Sequence, residues 1–318
     1  MPDISEITEE QRVQLANMHL VCGDPGKQNL LYLMDPAGKT VDYTRACRYR
    51  GSQAKRAAEI RCKIREQSGL AEHERALMAH RSTTVDVRRF AAYLRVKAGV
   101  RAATRSEYEQ LIWRKLRHRS NIGRQRMDDY FLNRVAQTYG QRTADGELDE
   151  SQILLVIGNW TAQHAVRGNP STQCIGLKRL LRRRFPGRVF QVDEFRTSKL
   201  CCNCGQETVQ VKVTSRTDPE VDSGVRILGC RQCHGQRRRP APSREHPDPV
   251  TAPVAAAPQE EIKEEHLPNA EPSRLISQCK LLNRDVNACV NMLAIATCLL
   301  VGQARPARFC RPNQATQQ

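Results

Sequence analysis

Two Cys-x-x-Cys pairs, Cys201/Cys204 and Cys230/Cys233, constrain this chain more than any other feature. Each pair can present two thiolates to one metal through a tight knuckle. Four sulfurs complete a tetrahedron without an open position, so the spacing predicts a structural Zn2+ centre. An iron-sulfur centre and a set of free thiols are the competing readings. Cys202 is too close to Cys201 to form a further corner but is a substitute ligand for it, and His234, beside the second pair, reads as a bystander. The chain carries thirteen cysteines, an odd number, and residues 1–14 hold no apolar leader. Both features argue against a disulfide framework and for a reducing, intracellular compartment, and leave a nuclear address open.

The rest of the chain is long enough, at 318 residues, for one large or two modest domains, and its apolar content permits a core. The net charge is +17, and the excess is concentrated: residues 45–134 hold 23 Lys and Arg against nine Asp and Glu. A stretch of that kind gathers a polyanion and releases it as salt rises, so a nucleic acid is the expected partner, against a merely solubilising surface as the alternative. The longest late apolar run, residues 292–301, is interrupted by Thr297 and is too short to span a bilayer, so no membrane is expected.

Periodicity predicts strands over residues 15–22, 29–34 and 40–44, with turns at 23–26 and 35–38. From residue 52 the pattern turns helical, with helices expected over 53–66, 71–80, 85–96, 104–119 and 121–138. In the last two, Tyr108, Leu111, Ile112, Leu116, Met127, Tyr130, Phe131 and Val135 are expected to bury one face. Arg114, Lys115, Arg117, Arg119, Arg124 and Arg126 are expected to point outward, as a phosphate track or simply a solvated face. A strand over 152–157, a basic helix over 176–184 and a strand over 188–192 follow, then β-like pieces at 208–213 and 225–228. Residues 235–272 have the composition of a disordered segment. A closing helix spans about 287–300, and 304–318 reads as a loose tail. This order describes a mixed α/β layer.

Asp24 ends the first strand, Glu194 follows a late strand and Asp285 precedes the last helix. Three such acids at one sheet edge suit divalent-metal hydrolysis of a phosphodiester, since hard oxygen ligands select magnesium or manganese. Taken singly, Asp24 also reads as a turn residue, Glu194 as a surface acid and Asp285 as the N-cap of the last helix.

The motif series Cys22-Gly23-Asp24-Pro25-Gly26, then Asp193-Glu194-Phe195-Arg196-Thr197-Ser198-Lys199 running into the first cysteine pair, then Asn283-Arg284-Asp285-Val286-Asn287-Ala288 with Asn291, resembles that of Fanzor proteins, the eukaryotic relatives of bacterial TnpB. Residues 113–140, including Lys115, Leu116, Gln125, Arg126, Tyr139 and Gly140, resemble the segment that precedes the second sheet block in that family. The resemblance implies an RNase H-like (RuvC-like) nuclease, guided by RNA to DNA and related to type V CRISPR effectors. It implies that Asp24, Glu194 and Asp285 bind catalytic Mg2+ or Mn2+, with Arg196 and Lys199 near the phosphate.

It also implies a layout: RuvC-like parts at residues 15–50, 151–196 and 274–301, a basic helical insertion at 51–140, an embedded zinc ribbon at 197–234, a Pro-rich insertion at 235–273 and a tail at 302–318. Two departures stand out. The bacterial pattern places the middle Glu after the fourth strand, where this chain has Gly158 and Asn159; a rearranged site with Glu194 on the neighbouring strand restores it, against a site that has lost its middle carboxylate. The family's amino-terminal recognition region has no room before Asp24, so a truncated or impaired nuclease is expected, or a non-catalytic nucleic-acid-binding remnant.

Overall fold

The computed structural model describes residues 1–160, 174–211, 227–233 and 280–311. Helix α1 (Glu9–Ala16) leads into strands β1 (His19–Asp24), β2 (Asn29–Met34) and β3 (Thr40–Thr44). A helical block follows: α2 (Arg45–Gly51), α3 (Ala54–Gln67), α4 (Leu70–Met78), α5 (Val87–Glu109) and α6 (Leu111–Tyr139). After a hairpin of β4 (Gln141–Arg142) and β5 (Leu148–Asp149) come β6 (Ile153–Gly158), α7 (Cys174–Arg184) and β7 (Val189–Val192). The short strands β8 (Val209–Val211), β9 (Ile227–Cys230) and β10 (Lys280–Asn283) precede α8 (Arg284–Leu300). The expected Pro-rich insertion at 235–273 lies outside the described residues.

The central sheet has the order β3-β2-β1-β6-β7. The first three strands form an antiparallel meander, while β1, β6 and β7 run parallel. This is an RNase H-like mixed sheet, and helices cover both faces. Strand β6 reads Ile-Leu-Leu-Val-Ile-Gly and is buried at every position, as a strand covered on both sides must be. Its alternate residues separate cleanly. Ile153, Leu155 and Ile157 pack with Phe131 and Val135 of α6 and Leu177 and Leu181 of α7, whereas Leu154 and Val156 pack with Cys289, Met292 and Ile295 of α8. By the same alternation Leu20 and Cys22 of β1 face α8 while Val21 faces α6.

The helical block is fastened to this sheet by a buried polar contact. Tyr43 of β3 donates its hydroxyl to Asp128 Oδ1 of α6 at 2.8 Å, and Arg48 of α2 donates to both oxygens of that carboxylate at 2.8 Å. Gly123 lets α6 approach α2: a Cβ there would lie 2.5 Å from the Ser52 carbonyl oxygen.

Several boundaries differ from the sequence expectation. Leu15 and Ala16 finish α1, whose capping box joins Thr8 and Gln11, so the first strand starts at His19. In the basic segment the break falls at Gln110, extended at ψ 141°, and not near residues 97–103 or at Ser120. Gly99 is exposed and lies inside α5 without breaking it, and Ser120 is buried. Tyr108 near the end of α5 is exposed, as are Leu111 and Tyr130 of α6, so the buried face of α6 is narrower than expected and rests on Leu116, Phe131, Leu132 and Val135.

The expected loose tail packs through residue 311. Phe309 is fully buried, and Arg305 donates to the carbonyls of Phe309 and Asp193 at 3.0 and 2.7 Å. Arg311 makes two 3.0 Å bonds to the Asp193 carboxylate. One buried ring and two arginines are too sparse a pattern for periodicity to register. Among the described residues, no helix is long and apolar enough to cross a membrane.

Candidate functional site

Strands β8, β9 and β10 form a small sheet in the order β10-β9-β8 beside the cysteines. The first pair sits on a turn closed by its own backbone. Cys201 donates its N–H to the Gln206 carbonyl, and Gly205 donates to the Cys201 carbonyl, each at 2.8 Å. Gly205 holds φ +75°, a left-handed conformation that a side chain resists, which explains glycine directly after Cys204. The second pair starts at the end of β9.

All four sulfurs lie within 4.8 Å of one another. Cys201 and Cys233 are separated by 3.8 Å, and Cys204 and Cys230 by 3.5 Å. A disulfide needs about 2.05 Å, so these are not bonded pairs. A tetrahedral Zn2+ about 2.3 Å from each sulfur spaces the sulfurs by about 3.8 Å. The donor set and its spacing therefore fit one structural zinc ion, in a cluster that resembles a zinc ribbon. Lys280–Asn283, expected to belong with the last sheet block, pairs with β9 and so completes the ribbon's sheet before running straight into α8.

The three acids arrive from different elements. Asp24 closes β1 in register with Tyr32 of β2. Cys22 pairs with Val156 and Val156 with Phe190, so Asp24, Gly158 and Val192 stand level across three adjacent strands. The alternation described above puts Asp24 and position 158 on the α8 face. Glu194, two residues past β7, turns back over β6. A Cβ built on Gly158 would lie 1.9 Å from Glu194 Oε1, so the glutamate fills the space a side chain at 158 would occupy.

Glu194 Oε1 also accepts the Trp160 N–H at 2.9 Å. Burial pushes the Glu194 carboxyl up to about 7, opposed by the Trp160 N–H and by the nearby cations Lys178 and Arg284. Asp285 is buried in the first turn of α8 and is not its N-cap. That role falls to Asn283, whose Oδ1 accepts the N–H groups of Asp285 and Val286 at 2.9 and 3.2 Å. Asp285 Oδ2 instead accepts from Asn29 Nδ2, at the start of β2, at 2.5 Å.

The acids share neighbours. Asp24 and Glu194 both act on Cys174 at the start of α7, and Asp24 and Asp285 both act on Cys289 of α8. Among the described residues, however, the four cysteines are the group of three or more potential ligands gathered closely enough to hold one metal ion, and the three carboxylates do not form such a group.

Of the basic residues, Arg114, Lys115, Arg117, Arg119 and Arg126 are exposed on α6. Arg124 is half-buried and donates to the Ser120 carbonyl and to Asn121 Oδ1 within its own helix. Arg196, at φ +62°, pairs with Glu207 at 2.5 Å, whereas Lys199 is exposed.

Sequence reasoning missed Asn29 and Lys178. Lys178 donates to the Trp160 carbonyl at 3.3 Å and lies beside Glu194, and burial lowers its pKa. No local signal marks either residue, since each acquires its neighbour only when β2 meets α8 or α7 meets β7. No protein-family model matches this sequence, and no curated protein matches it.

Proposed function

We propose that the chain is a divalent-metal-dependent DNA endonuclease of the RNA-guided Fanzor and TnpB type, hydrolysing phosphodiesters at the edge where β1, β6 and β7 end. The observation that carries this reading is the occupation of the Gly158 space by the Glu194 carboxylate, level with Asp24 and on the face covered by α8. A strand-end acid missing from β6 is replaced in space by one from β7. A surface acid has no reason to bury itself against a glycine at that point, where desolvation opposes its charge.

Asp24 and Asp285 would hold the ions, with Asn29 fixing the Asp285 carboxylate and the Trp160 N–H fixing that of Glu194. When bound, Mg2+ or Mn2+ activates water and stabilises the leaving oxygen. Glu194 orders the attacking water. The water releases a proton to solvent as its oxygen bonds to phosphorus, the bond from phosphorus to the leaving sugar oxygen breaks, and that oxygen takes up a proton from solvent. Lys178 and Arg284 supply positive charge beside Glu194, where phosphate charge develops. Exposed Arg114, Lys115, Arg117 and Arg119 carry the nucleic-acid backbone, and the resemblance supplies DNA as target and RNA as guide.

The test is Mg2+- or Mn2+-dependent cleavage of single-stranded DNA by the purified chain, with and without the RNA that purifies with it, beside Asp24→Ala. Cleavage lost in the variant supports the nuclease. Salt-sensitive binding without cleavage in either protein, at every metal tried, favours the remnant that binds nucleic acid without cutting it.

A further inference from the structure

We propose that the zinc ribbon sets the geometry of the carboxylate edge, with Asn287 and Asn291 as the positioning residues that connect the two. The consequence for metal binding rests on the reading of Asp285 and Glu194 as metal-binding acids; the mechanical link does not.

Asn287 and Asn291 lie one turn apart on α8, and each is 1% exposed. Asn287 Nδ2 donates to the carbonyls of Thr197 and Leu200 at 3.2 and 2.8 Å, and Asn291 Nδ2 donates to the same two carbonyls at 2.8 Å each. Asn287 Oδ1 accepts the N–H of Cys202 at 2.8 Å. Cys202 sits between the thiolate ligands Cys201 and Cys204, so this bond reaches inside the knuckle.

The same loop holds the other acid. Thr197, 2% exposed, donates both its N–H and its hydroxyl to the Glu194 carbonyl at 3.0 Å. Residues 197–202 therefore fix Glu194 on one side and α8, with Asp285 in its first turn, on the other. The chain adds a third tie, because β10 of the ribbon passes without a linker into α8.

A buried amide whose donors and acceptor are all engaged, as those of Asn287 are, has one favourable arrangement. Movement of the knuckle on zinc loss must break those bonds or carry α8 with it. An ordinary packing contact would stabilise the fold without linking occupancy at one site to geometry at the other. A link of this kind is reciprocal: zinc strengthens divalent-ion binding at the edge by the factor by which that ion strengthens zinc binding.

The experiment uses the full chain, stripped of zinc by a soft-metal chelator. Amide hydrogen exchange is followed in α8, residues 288–293, and in β1, with Mn2+ binding measured by electron paramagnetic resonance. Zinc removal is expected to speed exchange in that part of α8 about tenfold while β1 stays protected, and to weaken Mn2+ binding about tenfold. Asn287→Leu, keeping all four cysteines and one zinc, is expected to weaken Mn2+ binding equally with zinc in place. Asn291→Ser, which removes fewer bonds, serves if that variant fails to fold. Unchanged α8 exchange on zinc removal overturns the proposal. Zinc-dependent exchange together with no Mn2+ binding by the zinc-loaded chain keeps the mechanical link and overturns its consequence for the acids.

Discussion

The thiolate cluster and the carboxylate edge gather their ligands over different distances. Cys201 and Cys204 share one turn, Cys230 and Cys233 another, and the knuckle's own backbone hydrogen bonds bring the first pair together within residues 201–206. Asp24, Glu194 and Asp285 come from β1, the end of β7 and the start of α8, and meet only because the strand order puts β1, β6 and β7 side by side. The thiolates already stand at zinc spacing, whereas the three acids form no comparable ligand group among the described residues, and burial holds Glu194 toward its protonated form. Soft ligands can wait together as neutral thiols. Carboxylates repel when ionised, so full assembly of a hard-metal site requires the ion itself.

The largest expected effect falls on the carboxylate side. Asp24→Ala should lower metal-dependent cleavage by at least about a thousandfold while the circular dichroism spectrum is retained, because it removes metal charge stabilisation worth several kcal/mol. Loss of folding in that variant would make Asp24 a structural turn residue. On the thiolate side, Cys204→Ser should abolish stoichiometric zinc, measured by atomic emission, and melt the ribbon first. A full zinc complement in that variant would assign the fourth ligand elsewhere, Cys202 being the nearest substitute.

Glu194→Gln separates function from stability. A carboxyl raised to about 7 in the folded state, from about 4.5 when unfolded, binds its proton more tightly when folded. Native stability therefore falls as pH rises through that window, and the loss persists above it. Without divalent ions the glutamine variant should be the more stable protein at pH 8, on the order of 2 kcal/mol by urea midpoint, and equal to native at pH 4. Its cleavage should nevertheless disappear. A destabilised variant at pH 8 would show the carboxylate to be a net structural asset and break the comparison.

Gly158→Ala tests the shared space. The added methyl collides with the movable end of Glu194 and not with backbone, so stability should change by only about 1 kcal/mol while the carboxylate is displaced. Misplacement of about 1 Å predicts cleavage down roughly a hundredfold. Replacing Arg114, Lys115, Arg117 and Arg119 by glutamine should have the smallest effect: a salt slope for single-strand binding shallower by roughly 0.7 for every phosphate that is no longer neutralised, with the cleavage chemistry intact.

The legibility of each region follows the same distinction. Strands β2, β3 and β6, helices α3 and α7 and the cysteine corners could be read from sequence because periodicity and knuckle spacing are local. Glu194 could be named from its motif, but the vacancy it fills depends on the register of β6 with β7. Asp285 could be placed near the helix start, yet Asn283 as the cap and Asn29 as its partner needed the structure. Strand β10 escaped notice because four residues pairing across a long chain separation leave no period. The tail escaped because its order depends on Arg305 and Arg311 finding Asp193.

The most direct test of the central claim is anomalous diffraction from crystals soaked in Mn2+ above pH 8, where Glu194 is ionised. The account predicts manganese held by Asp24, Glu194 and Asp285, with zinc at the four cysteines. Manganese absent from that edge at millimolar concentration, with Glu194 still folded over Gly158, would contradict it.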